Sequence, residues 1–496
     1  MIFDFDPDKF FRLFLYSRNA PMIFNSGFFL FLFLAFMFIY IKLRKKDNYR
    51  ILYVIAFSYY FYYKSSGIYF LIMLFVTVWD FFIAKEMYAV ENKLKRKLLM
   101  ILSITANLGM LCYFKYTDFF YEMYCSLSGQ NFSSLDIFLP VGISFFTFQS
   151  MSYTIDVYRK QLAPLNRLQD FAFYISFFPQ LVAGPIVRAK DFIPQIHKPL
   201  HVSKEMLGRG IFLIIAGLFK KAVISDYISV NFVDRIFDNP NLYSGVENLL
   251  GLYGYTLQIY CDFSGYSDMA IGIALLLGFH FNTNFDSPYQ SATITEFWRR
   301  WHISLSSWLR DYLYISLGGN RKGKIRTYVN LIITMLLGGL WHGHSLRFVC
   351  WGLIHGLGLA IHKLLMGLFP NLKPSGNGMK PVWKILGTLL TFHFVCFSWI
   401  FFRAESFEAA ISMIKQIFTF FHPEILTDVL NGYKMVFVVM LVGFVLHFMP
   451  KSLENKFIDF TVGMPLIWKA IVMLAVIVFI MQIKSSEILA FIYFQF

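Results

Sequence analysis

The chemistry this chain can offer centres on histidines. His302 stands in FWRRWHISLSSWLRDYLYISLGGNRKGKIR (Phe297–Arg326), and His342 follows 40 positions later in LLGGLWHG (Leu336–Gly343). A third, His355, sits in WGLIHG (Trp351–Gly356), 13 residues beyond His342. Burial disfavours an imidazolium, so a desolvated histidine stays neutral at pH 7 and can accept a proton. Such a group is suited to general-base work on a substrate proton. Residue type alone leaves another reading open, because a histidine in an apolar run is more often structural than catalytic. The surroundings favour a site: His, Arg, Trp, Ser and Asp crowd into Phe297–Gly356, within a chain that otherwise spends its residues on apolar side chains. Each polar group there carries a desolvation penalty.

Other chemistries lack their signatures. There is no HExxH, and His342 and His344 flank one glycine without an acid beside them, so no metal constellation is expected. GxSxG is absent, which removes serine-hydrolase logic. Neither GLYGYTLQ nor LGGNRKGK has the spacing of a phosphate-binding glycine loop, although the basic RKGK could meet coenzyme phosphates. The five cysteines have no CxxC spacing and read as small hydrophobes. Asp80, Asp262 and Asp268 interrupt apolar runs. They are either functional, as intramembrane acids are by default, or structural partners of Arg188, Arg299 or Arg310.

The elements that must hold these groups are membrane elements. Of 496 residues 57% are hydrophobic and only 15% charged, where a soluble domain carries about a quarter charged. The net charge of +15 would raise nucleic acid as a partner. Its basic residues fall in short loops between apolar runs, where membrane topology needs them, so no nucleic acid is expected. Met1–Arg18 begins acidic, with Asp4, Asp6 and Asp8, and does not read as a cleavable signal. Apolar runs centre near residues 33, 57, 75, 107, 147, 178, 217, 270, 335, 358, 392, 441 and 474. We expect an all-α polytopic membrane protein with roughly 11 transmembrane helices, plus re-entrant or interfacial helices, around a central cavity. The basic loops Lys42–Arg50 and Lys93–Lys97 are expected in the cytoplasm, with the N-terminus outside. Pro140 with Gly142, Pro179 with Gly184-Pro185, Gly265 and Gly338-Gly339 predict broken helices at that cavity. Asn371–Lys380 is a polar loop, and with no repeat or long linker residues 1–496 read as one domain.

Trp298, Trp301, Leu305, Trp308, Leu309 and Tyr312 recur at helical spacing, with Arg299, Arg300, Ser306, Ser307, Arg310 and Asp311 on the other face. This predicts a non-spanning amphipathic helix over Trp298–Ser316, bordering the cavity or serving as a plain interfacial anchor. Arg310 and Asp311 are expected as charges in low dielectric, each harmful to folding if left alone. A helix starting near Thr327 after a cytoplasmic Lys322–Arg326 would carry His342 about 22 Å into a core about 30 Å thick.

The order WRRWHISLSSWLRDYLYISLGGNR, LLGGLWHG, WGLIHG resembles the bacterial membrane-bound O-acyltransferases, in the branch of alginate O-acetylase and peptidoglycan O-acetyltransferase. SFFTFQSMSYTIDVYR (Ser144–Arg159), SFFPQLVAGPIVRAKDF (Ser176–Phe192), FSGYSDMAIGIALLLGF (Phe263–Phe279) and SWIFFRAES (Ser398–Ser406) fit the same branch, so the motif-bearing core covers about 144–406. The resemblance implies that His342 and His302 are the active-site pair, with His342 as general base and His302 orienting substrate or supporting the oxyanion. It implies Trp298, Trp301, Ser304, Arg310, Asp311, Asn320, Trp341 and His355 as substrate-binding or supporting residues. It further implies no bound cofactor, acetyl-CoA as cytoplasmic acyl donor, and an inner-membrane location. The acetyl group would pass to a separate periplasmic or surface acetyltransferase acting on an extracytoplasmic polysaccharide or peptidoglycan. D-alanyl transfer to teichoic acid is the alternative within the class. A transporter or flippase is the alternative outside it, and would predict an internal repeat that the chain lacks.

Overall fold

The computed structural model describes residues 7–18, 21–182, 184–369 and 381–483. The polar loop Asn371–Lys380 and the acids Asp4 and Asp6 lie outside them. Among the described residues every regular element is helical. The contacts group into two compact units, one mainly Met1–Ile211 with Met269–Asn282, the other mainly Phe212–Asp268 with Thr283–Ile483.

The first unit contains α1 (Gly27–Leu43), α2 (Asp47–Ser66), α3 (Phe70–Ala89), α4 (Lys93–Ser128), α5 (Ile143–Tyr158) and α6 (Ala189–Ile196). Ser26 starts α1 by accepting the Phe29 amide at 3.2 Å, and Asn92 caps α4 through the amides of Leu94 and Lys95. The abundance of Phe serves packing: Phe178 meets Phe36 at 5.5 Å and Phe57 at 5.0 Å between ring centres, in a cluster of edge and tilted contacts. Helix α5 is buried along nearly its whole length against α3 and α4, so this apolar run is core rather than lipid-facing. Asp80 of α3 joins these three helices. Its carboxylate, fully buried, accepts from Ser103 at 2.6 Å, Asn107 at 2.7 Å and Ser150 at 2.5 Å. Asp80 therefore belongs to a helix-locking network of neutral donors.

The second unit contains α7 (Gly245–Leu276) up to Asp268, α8 (Ile294–Arg300), α9 (Ile303–Trp308), α10 (Lys324–His342), α11 (Leu346–Leu368) and α12 (Pro381–Arg403). Its two interior acids are paired, with lysines rather than arginines: Lys221 reaches Asp262 at 2.5 Å and Lys220 reaches Asp268 at 2.7 Å. The lysines arrive on a π-helical stretch, Phe219–Ser225, whose widened turn places successive residues differently from an α-helix.

By length and composition four helical stretches could cross a membrane: Asp47–Ala89 with its inner turn, Lys93–Ser128, Leu346–Leu368 and Pro381–Arg403. Two bent pairs, Pro423–Gly432 with Lys434–Phe448 and Lys451–Gly463 with Leu466–Phe479, raise the number to six. These criteria do not yield the expected eleven. The run at 147 forms a helix of only 16 residues, Ile143–Tyr158, too short to span by itself, and it is buried in the protein core.

The expected helix breaks divide into two kinds. Gly142 does stop a segment, at φ +75° just before α5, and Pro179 opens the four-residue helix Phe178–Leu181. Gly265 and Gly338-Gly339 break nothing, because α7 and α10 run straight through them. These glycines act by their size. A Cβ on Gly339 would meet the Phe348 carbonyl and lie 3.1 Å from the Gly352 Cα, and one on Gly352 would strike the Met335 carbonyl. Small residues thus let α10 and α11 pack backbone to backbone.

Candidate active site

The histidine-bearing segment is not one helix. Periodicity predicts a continuous helix over Trp298–Ser316, yet α8 ends at Arg300, α9 starts at Ile303, and Leu309–Tyr314 forms π-helical turns. The break falls on His302, whose backbone is left-handed at φ +42°, ψ 55°. A residue with a Cβ is uncommon there, and such positions gather at functional sites. Helical spacing could not reveal the break, since two short helices separated by a kink share the same local period.

His302 is wholly buried, and burial pushes its imidazole down to about 3, so it is neutral at pH 7. Its tautomer follows from Asn284. The Asn284 Oδ1 accepts from the Ser304 amide at 3.2 Å and from Ser304 Oγ at 2.8 Å, which fixes that atom as oxygen. The amide nitrogen donates to Ser267 Oγ at 3.0 Å. His302 Nδ1 lies 3.2 Å from the same Oδ1 and 3.4 Å from Ser304 Oγ; with the Ser304 hydroxyl directed to Oδ1 at 2.8 Å, Nδ1 carries the hydrogen and Nε2 is an acceptor. A neutral ring held this way receives a proton or a hydroxyl hydrogen bond. It cannot donate to an oxyanion without the protonation that burial opposes.

His342 is the last residue of α10, and the helix begins at Lys324, three residues before the expected start. It therefore lies about 27 Å along the helix axis from that end, about 4.5 Å farther than a start at Thr327 implies. Gly343 continues in extended conformation, and the Gly343–Ser345 stretch separates α10 from α11. Trp341 stands between the two histidines, its ring 6.4 Å from that of His302 and 5.0 Å from that of His342. Trp351 and Phe402 present their rings to His342 at 5.1 and 5.3 Å, both near perpendicular.

His355 is locked from both sides. The Trp298 indole, a donor only, gives its hydrogen to Nδ1 at 3.3 Å, so Nε2 carries the ring hydrogen and donates to Ser398 Oγ at 2.9 Å. Ser398 passes its own hydrogen to the Val395 carbonyl at 2.7 Å. With both nitrogens committed, His355 holds Trp298 and Trp351, its ring 5.1 and 4.8 Å from theirs. Trp301 joins the same aromatic wall through Trp399 at 5.1 Å.

The structure thus gathers His302, Ser304, Trp298, Trp301, Trp341, His342 and His355. Arg310, Asp311 and Asn320 do otherwise. The Arg310 side chain is 64% exposed and binds its neighbour Asp311 at 2.6 and 3.1 Å, so the expectation of charges in low dielectric is corrected. The π-helical widening swings Arg310 outward. Asn320 accepts from Tyr314 Oη and from Lys363 Nζ at 2.7 Å on an exposed surface. Sequence reading passed over Asn284 and assigned no role to Ser398. Asn284 lies 18 residues before His302 in FNTNF, outside any period, and only its polarity between two phenylalanines marked it. Among the described residues no three His, Cys, Asp or Glu side chains cluster so as to hold a metal.

All-helical architecture with apolar helices defines a membrane protein, and comparison with known proteins gives its class. Residues 162–403 match MBOAT, the membrane-bound O-acyltransferase family. A probable alginate O-acetylase AlgI of Pseudomonas aeruginosa is 42% identical over 405 residues, covering 80% of this chain and 75% of the relative. A peptidoglycan O-acetyltransferase of Helicobacter pylori is 36% identical over 390 residues, 73% of each. A teichoic acid D-alanyltransferase of Bacillus subtilis is 31% identical over 286 residues, 54% of this chain and 69% of the relative. The chain belongs to the membrane-bound O-acyltransferase family. It is a multi-pass membrane enzyme of the acyltransferase class.

Proposed function

We propose that this protein moves acetyl groups from cytoplasmic acetyl-CoA, across the inner membrane, for O-acetylation of an extracytoplasmic polysaccharide, alginate-like or peptidoglycan, completed by a separate periplasmic or surface acetyltransferase. The observation that carries the reading is the placing of His302 and His342 around the single ring of Trp341, each held in a buried aromatic setting. In the step proposed, an acceptor hydroxyl gives its proton to the His342 imidazole while its oxygen attacks the thioester carbon. The carbon–sulfur bond then breaks, and the departing thiolate takes the proton back from His342, leaving an ester and a free thiol. His302, through its Nε2 acceptor, orients the hydroxyl that arrives. The aromatic walls exclude water that would hydrolyse the thioester. The acetyl reading is supported by the alginate and peptidoglycan relatives, which align over more of this chain than the D-alanyltransferase does.

Inside-out vesicles containing the protein and its partner transferase, supplied with radiolabelled acetyl-CoA, should transfer label to a lumenal glycan, and vesicles with His342→Ala should not. Transfer from a D-alanyl carrier protein in place of acetyl-CoA would overturn the acetyl reading and leave acyl transfer standing.

A further inference from the structure

The first unit encloses a cavity of about 620 Å³ that the acyl-transfer reading does not use. Helix α6 lines it with Lys190, Asp191 and Gln195, the chain beyond adds Lys198, and the turn 278–282 adds Phe279 and His280. Its size falls within the range of small-molecule sites, about 300–1,000 Å³.

The walls are fixed by specific bonds. Gln195 Nε2 donates to the carbonyls of Asp191 at 2.8 Å and His280 at 3.1 Å, while its Oε1 accepts the His280 amide at 2.8 Å, clamping the turn to α6. Gly278 takes φ +82°, and any Cβ there would run into Leu200. Phe279 stacks on Phe192 with ring centres 5.3 Å apart. Below, Arg50 is buried, donates to the Ile196 carbonyl at 3.2 Å and pairs with Asp47 at 3.2 Å.

Charge at the rim is unbalanced. Asp47 offsets Arg50, and Asp191 is the one carboxylate among the residues lining the cavity, against Lys190 and Lys198; among the described residues no carboxylate lies within ion-pair distance of either lysine. A free surface lysine is ordinary. Two of them lining one concavity, with His201 and His280 beside them, describe a receptor for an anion. Two separate cations suit a group with several anionic oxygens, and the volume leaves room for what such a group is attached to.

We propose that this cavity binds a phosphate ester, with Lys190 and Lys198 on its oxygens and Phe279 against its organic part. Arg50 ends the basic loop Lys42–Arg50 expected in the cytoplasm, where two sources of the chemistry exist: a soluble phosphorylated coenzyme and an anionic phospholipid headgroup. The inference concerns binding alone; its coenzyme arm rests on the acetyl-CoA reading, and its lipid arm does not.

The test uses the purified full-length protein, titrated in detergent with adenosine 3′,5′-bisphosphate and, in nanodiscs, with phosphatidylglycerol against phosphatidylcholine. At least one phosphate probe should bind saturably, more weakly at higher salt. Binding should fall about tenfold or more in K190Q/K198Q, a protein expected to melt at the wild-type temperature because both lysines are exposed. Bisphosphate binding alone assigns the coenzyme source, and phosphatidylglycerol dependence alone assigns the lipid. If the double variant fails to fold, K190Q and K198Q taken singly should each weaken binding about threefold. No binding by either probe, or binding unchanged by the lysine substitutions, overturns the proposal.

Discussion

Asn284 decides what His302 can do, because its oxygen faces three hydrogen-bond donors and compels Nδ1 to carry a proton. Substituting Asn284→Ala should release that tautomer and lower turnover more than it raises KM, measured as a split between kcat and KM on a defined acceptor. The left-handed backbone at His302 also dictates how the residue is probed. Asn, like His, enters the left-handed region more readily than Ala, so His302→Asn removes the ring with little added backbone strain. His302→Asn should therefore slow transfer in a protein that folds normally. At His342 the removal of a general base is expected to cost about 10²–10⁴-fold in rate. Transfer by His342→Ala at more than about a tenth of the wild-type rate would end that assignment. The pH dependence of stability has a definite sign. His302 titrates at about 3 in the folded chain against 6.5 ordinarily, so below 6.5 the unfolded chain binds more protons. Its contribution to stability is complete above 6.5 and declines as pH falls toward 3. Melting temperatures followed from pH 7 to about pH 4 should therefore fall less steeply for His302→Asn than for wild type.

At the scale of elements, the α8–α9 segment shows what a one-dimensional pattern conveys. The spacing of Trp298, Trp301, Leu305 and Trp308 correctly indicated helix and a buried side, because those residues do face the core. It concealed the kink at His302, which Asn284 holds from 18 residues earlier, and the π-helical turns after Trp308, which share the local spacing of an α-helix. Charge placement suffers the same blindness: Arg310 and Asp311 read as desolvated, and the widened turn carries Arg310 outward. Replacing Arg310 should shift stability by no more than about 1 kcal/mol, as for exposed ion pairs. A larger loss on chemical unfolding would mean that the pair is more enclosed than its 64% and 22% exposures indicate. The motif residues that touch the histidines were legible because the paired WH motifs carry them. The glycines of α10 were legible as special, but their meaning was inverted: they permit contact instead of interrupting a helix. Gly339→Leu should overfill that contact and destabilise by about 1–3 kcal/mol, visible as poor expression or early melting.

For the whole molecule, the all-helical membrane architecture was readable from composition alone, whereas the number of spans was not. Apolar runs count equally in sequence whether they face lipid or, like α5, a polar-stitched protein core. The expected orientation, with Lys42–Arg50 and Lys93–Lys97 inside, is checked by cysteines placed in those loops. An impermeant thiol reagent should label them only after the membrane is opened, and labelling in intact cells would reverse the topology. The backbone contact of Gly339 with Gly352 has a consequence for how such chains can diversify. It fixes α10 against α11 in one register, so the interval from His342 to His355 is a mechanical dimension of the enzyme. A single residue inserted at Gly343–Ser345 would have to be absorbed by the connecting turn, or else turn His355 about 100° away from Trp298. Recombination between relatives should therefore succeed when Lys324–Leu368 is exchanged as one cassette, and fail when the crossover falls inside it.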